Sequence, residues 1–221
     1  MKRITMTLAV AALCIISARG QGFLNLNFES AYNLPPNPGH GAAASVTNGL
    51  PDWIAYDASY ALPEISYVSN NLATTTAVAL EDGSLALSGD FSVGLYLNGS
   101  ISQTGLVPGS AKSLQFEAQG PGDGGSLGAS SFEVILGGQP LSLSALSTGP
   151  DYTVYAANIP ASMIGQIEPL IFGCEGVGSG GVVLDNISFS PTAAPEPSVY
   201  ALLGLGAMLF GLCHLRKVKS A

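Results

Sequence analysis

Two short runs constrain this chain more than any other feature. In KSLQFEA, Leu114, Phe116 and Ala118 alternate with Ser113, Gln115 and Glu117; in FSVGLYL, Phe91, Val93, Leu95 and Leu97 alternate with Ser92, Gly94 and Tyr96. A period of two sends successive side chains to opposite faces, so each run reads as a strand with one buried and one wet face. Further short runs, cut by Gly, Asn, Asp, Ser and Pro, predict strands near Phe23 to Phe28, Ile65 to Ser69, Thr76 to Leu80, Ser84 to Leu87, Phe132 to Leu136, Leu141 to Ala145, Tyr152 to Ala157, Pro169 to Phe172 and Val182 to Ser190. Helical periodicity is confined to ASMIGQIE, from Ala161 to Glu168, which predicts a short turn of helix. The expectation is one all-β domain over residues 21–192, a two-sheet antiparallel β-sandwich. Ser30 to Asp52, crowded with Pro, Gly and Asn, reads as a surface loop, and Gln119 to Ser131 as a hairpin connection.

The two ends differ from this middle. Lys2 and Arg3 precede an apolar stretch from Ile4 to Ala18, followed by small residues, so residues 1–20 read as a secretory signal peptide. At the other end, Ser198 to Leu215 is apolar but for Ser198, Tyr200 and His214, long enough to cross a bilayer as a single helix. Arg216, Lys217 and Lys219 form a basic stop that would stay cytoplasmic and leave the β-domain outside.

With the ends set aside, charge becomes informative. Of fifteen acids only Glu196 lies beyond Ala194, which leaves fourteen between Gln21 and Ala194 against Lys112 as the one Lys or Arg. Phosphate binding needs clustered bases, so nucleic acid is excluded as a partner, and neutral polymers or cations suit the surface better. Cys174 is the one cysteine of this segment and reads as a small buried residue at a strand end. A catalytic thiol or a Ser-His-Asp arrangement would have to use His40, and no G-x-S-x-G nucleophile motif occurs. These features predict no enzyme; a carboxylate pair for glycoside cleavage is the surviving hydrolytic alternative.

Pro195-Glu196-Pro197 is a stiff extended segment that would present one carboxylate at the membrane surface. Pro-Glu-Pro, then a short Gly- and Leu-rich helix, then a basic terminus resembles the PEP-CTERM sorting signal, here residues 193–221. The resemblance implies that a membrane-embedded exosortase recognises the signal and removes the tail. It also implies an exported protein, anchored in the inner membrane before processing and then released to the cell surface or matrix. Association with exopolysaccharide and biofilm is implied in the same way.

Within the domain, NLNFES, LPDW and LDNISFSP resemble, in order, the short signatures of galactose-binding-like jelly-roll domains, including carbohydrate-binding modules. That resemblance implies a jelly-roll-like sandwich and a structural Ca²⁺ joining the first and last strands through Glu29 and Asp185. Strand parity independently puts Val183, Asp185, Ile187 and Phe189 on one face, which turns the Asp185 carboxylate toward the apolar side. There it needs a cation, a bulge or backbone N–H donors. Trp53, Tyr56 and Tyr96, with Tyr60 and Tyr67, are candidates for a surface that stacks on sugar rings, and Trp53 is equally suited to plug one end of the sandwich. A binding module for a defined glycan is thus the alternative to a matrix protein.

Overall fold

A computed structural model describes residues 22–36, 42–69, 75–120, 127, 131–175 and 181–195. The expected signal peptide, the apolar run 198–215, Glu196, Pro197, His40, Arg216, Lys217 and Lys219 lie outside the described residues. Among the described residues no helix is long and apolar enough to cross a membrane.

The described residues form fourteen strands in chain order: β1 Ala42–Ser45, β2 Ile54–Asp57, β3 Tyr60–Ala61, β4 Glu64–Ser69, β5 Val78–Asp82, β6 Phe91–Leu95, β7 Gly99–Leu106, β8 Ser113–Gln119, β9 Ser131–Leu136, β10 Gln139–Pro140, β11 Leu143–Thr148, β12 Thr153–Asn158, β13 Ile167–Glu175 and β14 Val182–Ser190. They build an eight-stranded sheet, ordered β1-β4-β5-β6-β14-β8-β12-β11, and a six-stranded sheet, ordered β10-β9-β13-β7-β2-β3. The all-β, two-sheet expectation therefore holds. Its antiparallel part needs one correction, because β4 and β5 pair in parallel.

The sheets close on an apolar interior. Leu114, Phe116 and Ala118 of β8 face it, as do Val93 and Leu95 of β6, as the alternation demands. Phe116 is the hub: its ring lies 5.4 Å from Phe172, edge-on, and 5.9 Å from both Phe132 and Tyr155. Trp53 extends this aromatic chain to Phe28, with centroids 5.8 Å apart. Such ring pairs add to the burial term, which for a large aromatic is already several kcal/mol, about 3–5 on truncation.

Several local expectations are overturned, each for a backbone reason. Phe23 to Phe28 is no strand. Asn25 and Phe28 adopt left-handed φ of 46° and 59°, so the segment turns and crosses the end of the sandwich. There Gln103 of β7 grips it twice: its Oε1 accepts from Leu24 N–H at 2.6 Å, and its Nε2 donates to the Leu24 carbonyl at 3.0 Å. Ser84 to Leu87 contains the 3₁₀ turn Gly83–Leu85 and not a strand. Ser30 to Asp52, read as a loop, holds β1 and the one-turn helix α1 Val46–Gly49, capped by the Ser45 hydroxyl. Gln119 to Ser131 links β8 of one sheet to β9 of the other, so it is a crossing between sheets and no hairpin. ASMIGQIE supplies a 3₁₀ turn at Ala161–Met163.

Candidate functional site

The outward face of the six-stranded sheet is set by register. Inward positions are taken by Ala55, Ile101, Leu170, Phe172, Val134 and Leu136. One outward row therefore runs Ala61, Tyr56, Ser100, Gly173, Glu133, and the next runs Ile54, Ser102, Ile171, Ile135, Pro140. Ser100 and Gly173 are small, so the sheet surface dips between Tyr56 and Glu133. The dip is a hollow of about 260 Å³, floored by Gly99, Ser100 and Gly173 and walled by Glu133, Ala58 and Asn98. Its rim is held by backbone in an unusual state. Ala58 and Asn98 both have left-handed φ, 53° and 61°, and Ala58 N–H donates to the Asn98 carbonyl at 2.8 Å. For a residue with a Cβ such a conformation is unfavourable unless its surroundings enforce it.

The outward face of the eight-stranded sheet is chemically opposite. Register aligns Val68, Glu81 and Ser92 across β4, β5 and β6, and Asp185, Glu117 and Val154 across β14, β8 and β12. The Ser92 hydroxyl donates to Asp185 at 2.7 Å and joins the two triplets. Glu81 is fully buried and Asp185 nearly so. Glu81 Oε1 accepts from the Tyr96 hydroxyl at 2.7 Å, while Oε2 has no hydrogen-bond partner. Burial pushes the Glu81 carboxyl up to about 7, against the pull of that hydrogen bond. Burial likewise raises Asp185 to about 6; the bonds from Ser92 and the Asn186 N–H oppose it, and the Glu117 charge adds to it. The Tyr96 phenol is raised by burial and by Glu81 beside it.

Asp185 corrects the parity reading. β14 carries one extra residue against β8 between Asp185 and Ser188, and Asn186 sits there at φ 46°. That bulge switches faces in mid-strand. Val182 and Leu184 point inward before it and Ile187 after it, so Asp185 points outward, opposite Glu117. It is buried there by the connection leading into β6. Its Oδ2 also accepts from Ser88 N–H at 3.2 Å, and its Oδ1 accepts from Asn186 N–H at 2.6 Å.

Glu29 reaches the same connection from the other end of the chain: its Oε1 accepts from Asp90 N–H at 2.9 Å and Phe91 N–H at 3.1 Å. A Cβ on Gly89, between these anchor points, would fall 2.2 Å from that oxygen. Glu29 and Asp185 thus hold the same connection through separate hydrogen bonds, whereas the resemblance implies a shared Ca²⁺. The groups hydrogen-bonded to them are N–H and O–H donors, which suit a carboxylate acceptor and not a Ca²⁺ cage of six to eight oxygens. Among the described residues no group of three or more His, Cys, Asp or Glu is placed to hold a metal ion.

The aromatic candidates separate. Trp53 is buried, its Nε1 donating to the Asn25 carbonyl at 3.0 Å, so it fills the core and offers no ring to a ligand. Tyr96 stands on the outward side of the eight-stranded sheet, half-buried and bonded to Glu81. Tyr67 is buried and donates to Asp82; burial and that carboxylate push its phenol up to about 12. Tyr56 alone among the candidates stands in the hollow row; Tyr60, 78% exposed, pairs with Asp57 on the other parity of β3 and so turns to the opposite face. Cys174 is buried at the end of β13, and burial raises its thiol. Glu133, Ser100 and Asn98 escaped the sequence reading, because nothing in their local pattern marks a hollow that forms only when β7, β13 and β9 align.

No family model matches the chain, and no curated protein matches it. Among solved structures it is similar to TmCBM61 in complex with beta-1,4-galactotriose, with 16% identity, a TM-score of 0.42, and coverage of 77% of this chain and 98% of that one. A likeness of this degree carries no ligand across.

Proposed function

We propose that this chain is an exported, non-enzymatic cell-surface or matrix protein, sorted by an exosortase at Pro195-Glu196-Pro197, whose β-sandwich lies against extracellular polysaccharide through the hollowed face of the six-stranded sheet. The observation that carries this reading is the hollow itself: a low floor of Gly99, Ser100 and Gly173 with Asn98 and Glu133 on its walls, in the same cross-strand row as Tyr56. Flat rings beside short hydrogen-bonding groups suit a sugar polymer. The non-enzymatic part is supported by the two carboxyls with raised pKa, Glu81 and Asp185. They lie two strand spacings apart, about 9.5 Å, a spacing a glycosidase could use, but both are sealed from solvent.

The test is a polysaccharide array probed with the full chain and with two variants. Tyr56→Ala should weaken the best hit about three- to tenfold, the worth of one stacked ring, and Ser100→Trp should abolish it by filling the floor. Binding that survives Ser100→Trp would remove the hollow from the reading. Fractionation of the host with and without its exosortase tests the sorting half: a tail-free extracellular species that depends on the enzyme is expected, and an uncleaved membrane form in both strains would overturn it.

A further inference from the structure

We propose that the hollow selects polysaccharides bearing free amino groups, with the Glu133 carboxylate holding one ammonium; this rests on the polysaccharide reading of the same face. Glu133 stands at the end of the row Tyr56, Ser100, Gly173, Glu133. A Cβ on Gly173 would meet the Glu133 Cγ at 3.9 Å, so the acid's stem flanks bare backbone and its charge borders the floor. Among the described residues no side chain hydrogen-bonds to this carboxylate, and Lys112 is the only Lys or Arg among them. Lys112 lies in the connection before β8, its N–H donating to the Ser190 carbonyl in the other sheet.

Three classes of polymer then differ in what happens to Glu133. An anionic chain meets the carboxylate directly and the field of fourteen acids behind it. A neutral chain laid over the floor can return hydroxyl or amide donors to Glu133 but no opposite charge, so it only replaces the water it strips. An ammonium replaces that water with a charge-assisted hydrogen bond. The rim fixed by Ala58 and Asn98 keeps the floor preformed, so little ordering is needed when the polymer docks.

The experiment compares two ligands with one sugar backbone, a fully deacetylated glucosamine hexamer and its fully N-acetylated counterpart, titrated calorimetrically into the full chain near pH 6 at about 150 mM salt. The amino hexamer should bind at least about fivefold more tightly, the scale of one partly exposed ion pair. Glu133→Gln should erase that difference while leaving the melting temperature unchanged. Glu64→Gln, which removes an exposed carboxylate from β4 in the other sheet, should preserve it. Equal affinity for the two hexamers overturns the amino-sugar assignment and leaves the polysaccharide reading standing. Equal losses in the two variants overturn it as well, because the attraction is then the general acidic field. Failure to bind either hexamer or any polymer on the array overturns both.

Discussion

Glu81 should make this domain more stable in mild acid than at neutral pH. Its carboxyl is fully buried in the outward face of the eight-stranded sheet, with one oxygen on Tyr96 and the other without a partner. It titrates near 7 in the folded chain against an ordinary 4.5. Between those values the folded state holds a proton that the unfolded state has released, so stability falls as pH rises through the window and levels off above it. Two and a half pH units correspond to about 3 kcal/mol, or roughly 6–12 °C in melting temperature for a domain of this size. Asp185, raised to about 6 from 3.8, adds to the same trend at slightly lower pH. The assay is urea unfolding of the full chain at pH 4.5, 6 and 8, set against Glu81→Gln. The Gln side chain keeps an oxygen for the Tyr96 hydroxyl but has no proton to lose. The parent should lose about 3 kcal/mol or more between pH 4.5 and 8, and the variant should lose markedly less. An unchanged slope in Glu81→Gln would refute the reasoning and assign the pH dependence to charge repulsion among the surface acids.

Other parts of the structure are open to similar tests. A Cβ on Gly94 would fall 2.0 Å from Glu81 Oε1 and 2.9 Å from the Tyr96 ring, so Gly94→Ala should cost about 1–3 kcal/mol; adding Glu81→Ala should recover most of it in a double-mutant cycle, and independent costs would rule out this contact. Phe116→Ala should lower stability by about 3–5 kcal/mol, read as a shift in the urea midpoint, because three rings lose their common neighbour. Chelation with EDTA should leave the melting temperature within about 1 °C, since Glu29 and Asp185 already have N–H and O–H donors; a fall of several degrees would establish a bound cation at this connection.

What the sequence disclosed about the fold follows from which faces carry bulk. β8 and β6 were legible because Leu114, Phe116, Val93 and Leu95 stand at every second position and all reach the core. β7 escaped notice because its inward positions are Gly99, Ile101, Gln103 and Gly105: one apolar side chain, an amide that grips the Leu24 backbone, and two glycines, one of them placed so that a Cβ would fall 2.9 Å from the Phe23 ring. β1 and β2 present only alanines inward, Ala44 and Ala55, too small to mark a buried face by pattern. Of the strands that align to form the hollow, β13 and β9 were legible and β7 was not, and the low floor is left by Gly99 and Ser100 of β7 and Gly173 of β13. Only Tyr56 stood out in advance, by its ring.

β14 was located correctly and misread in orientation. Val183, Asp185, Ile187 and Phe189 satisfy a period of two, but so do Val182 and Leu184 on the other parity, and periodicity alone has no means of choosing. The discriminating signal was Asp185-Asn186 in mid-strand. Asn is the residue after glycine that best tolerates left-handed backbone, and an Asp-Asn pair inside an apolar run is turn chemistry where a strand should continue. Reading it as a bulge joins the inward halves of both parities, Val182 and Leu184 with Ile187 and Phe189, and turns Asp185 outward toward Ser92. The question the sequence posed, which cation answers a carboxylate in the core, then becomes a different one. The carboxylate is not in the core; it lies on the outside of a sheet, beneath a connection whose N–H groups need an acceptor. Its burial therefore reflects how the chain ties down the connection from β5 to β6. The open chemistry of the molecule is left to the opposite face, where Glu133 has no hydrogen-bond partner among the described residues.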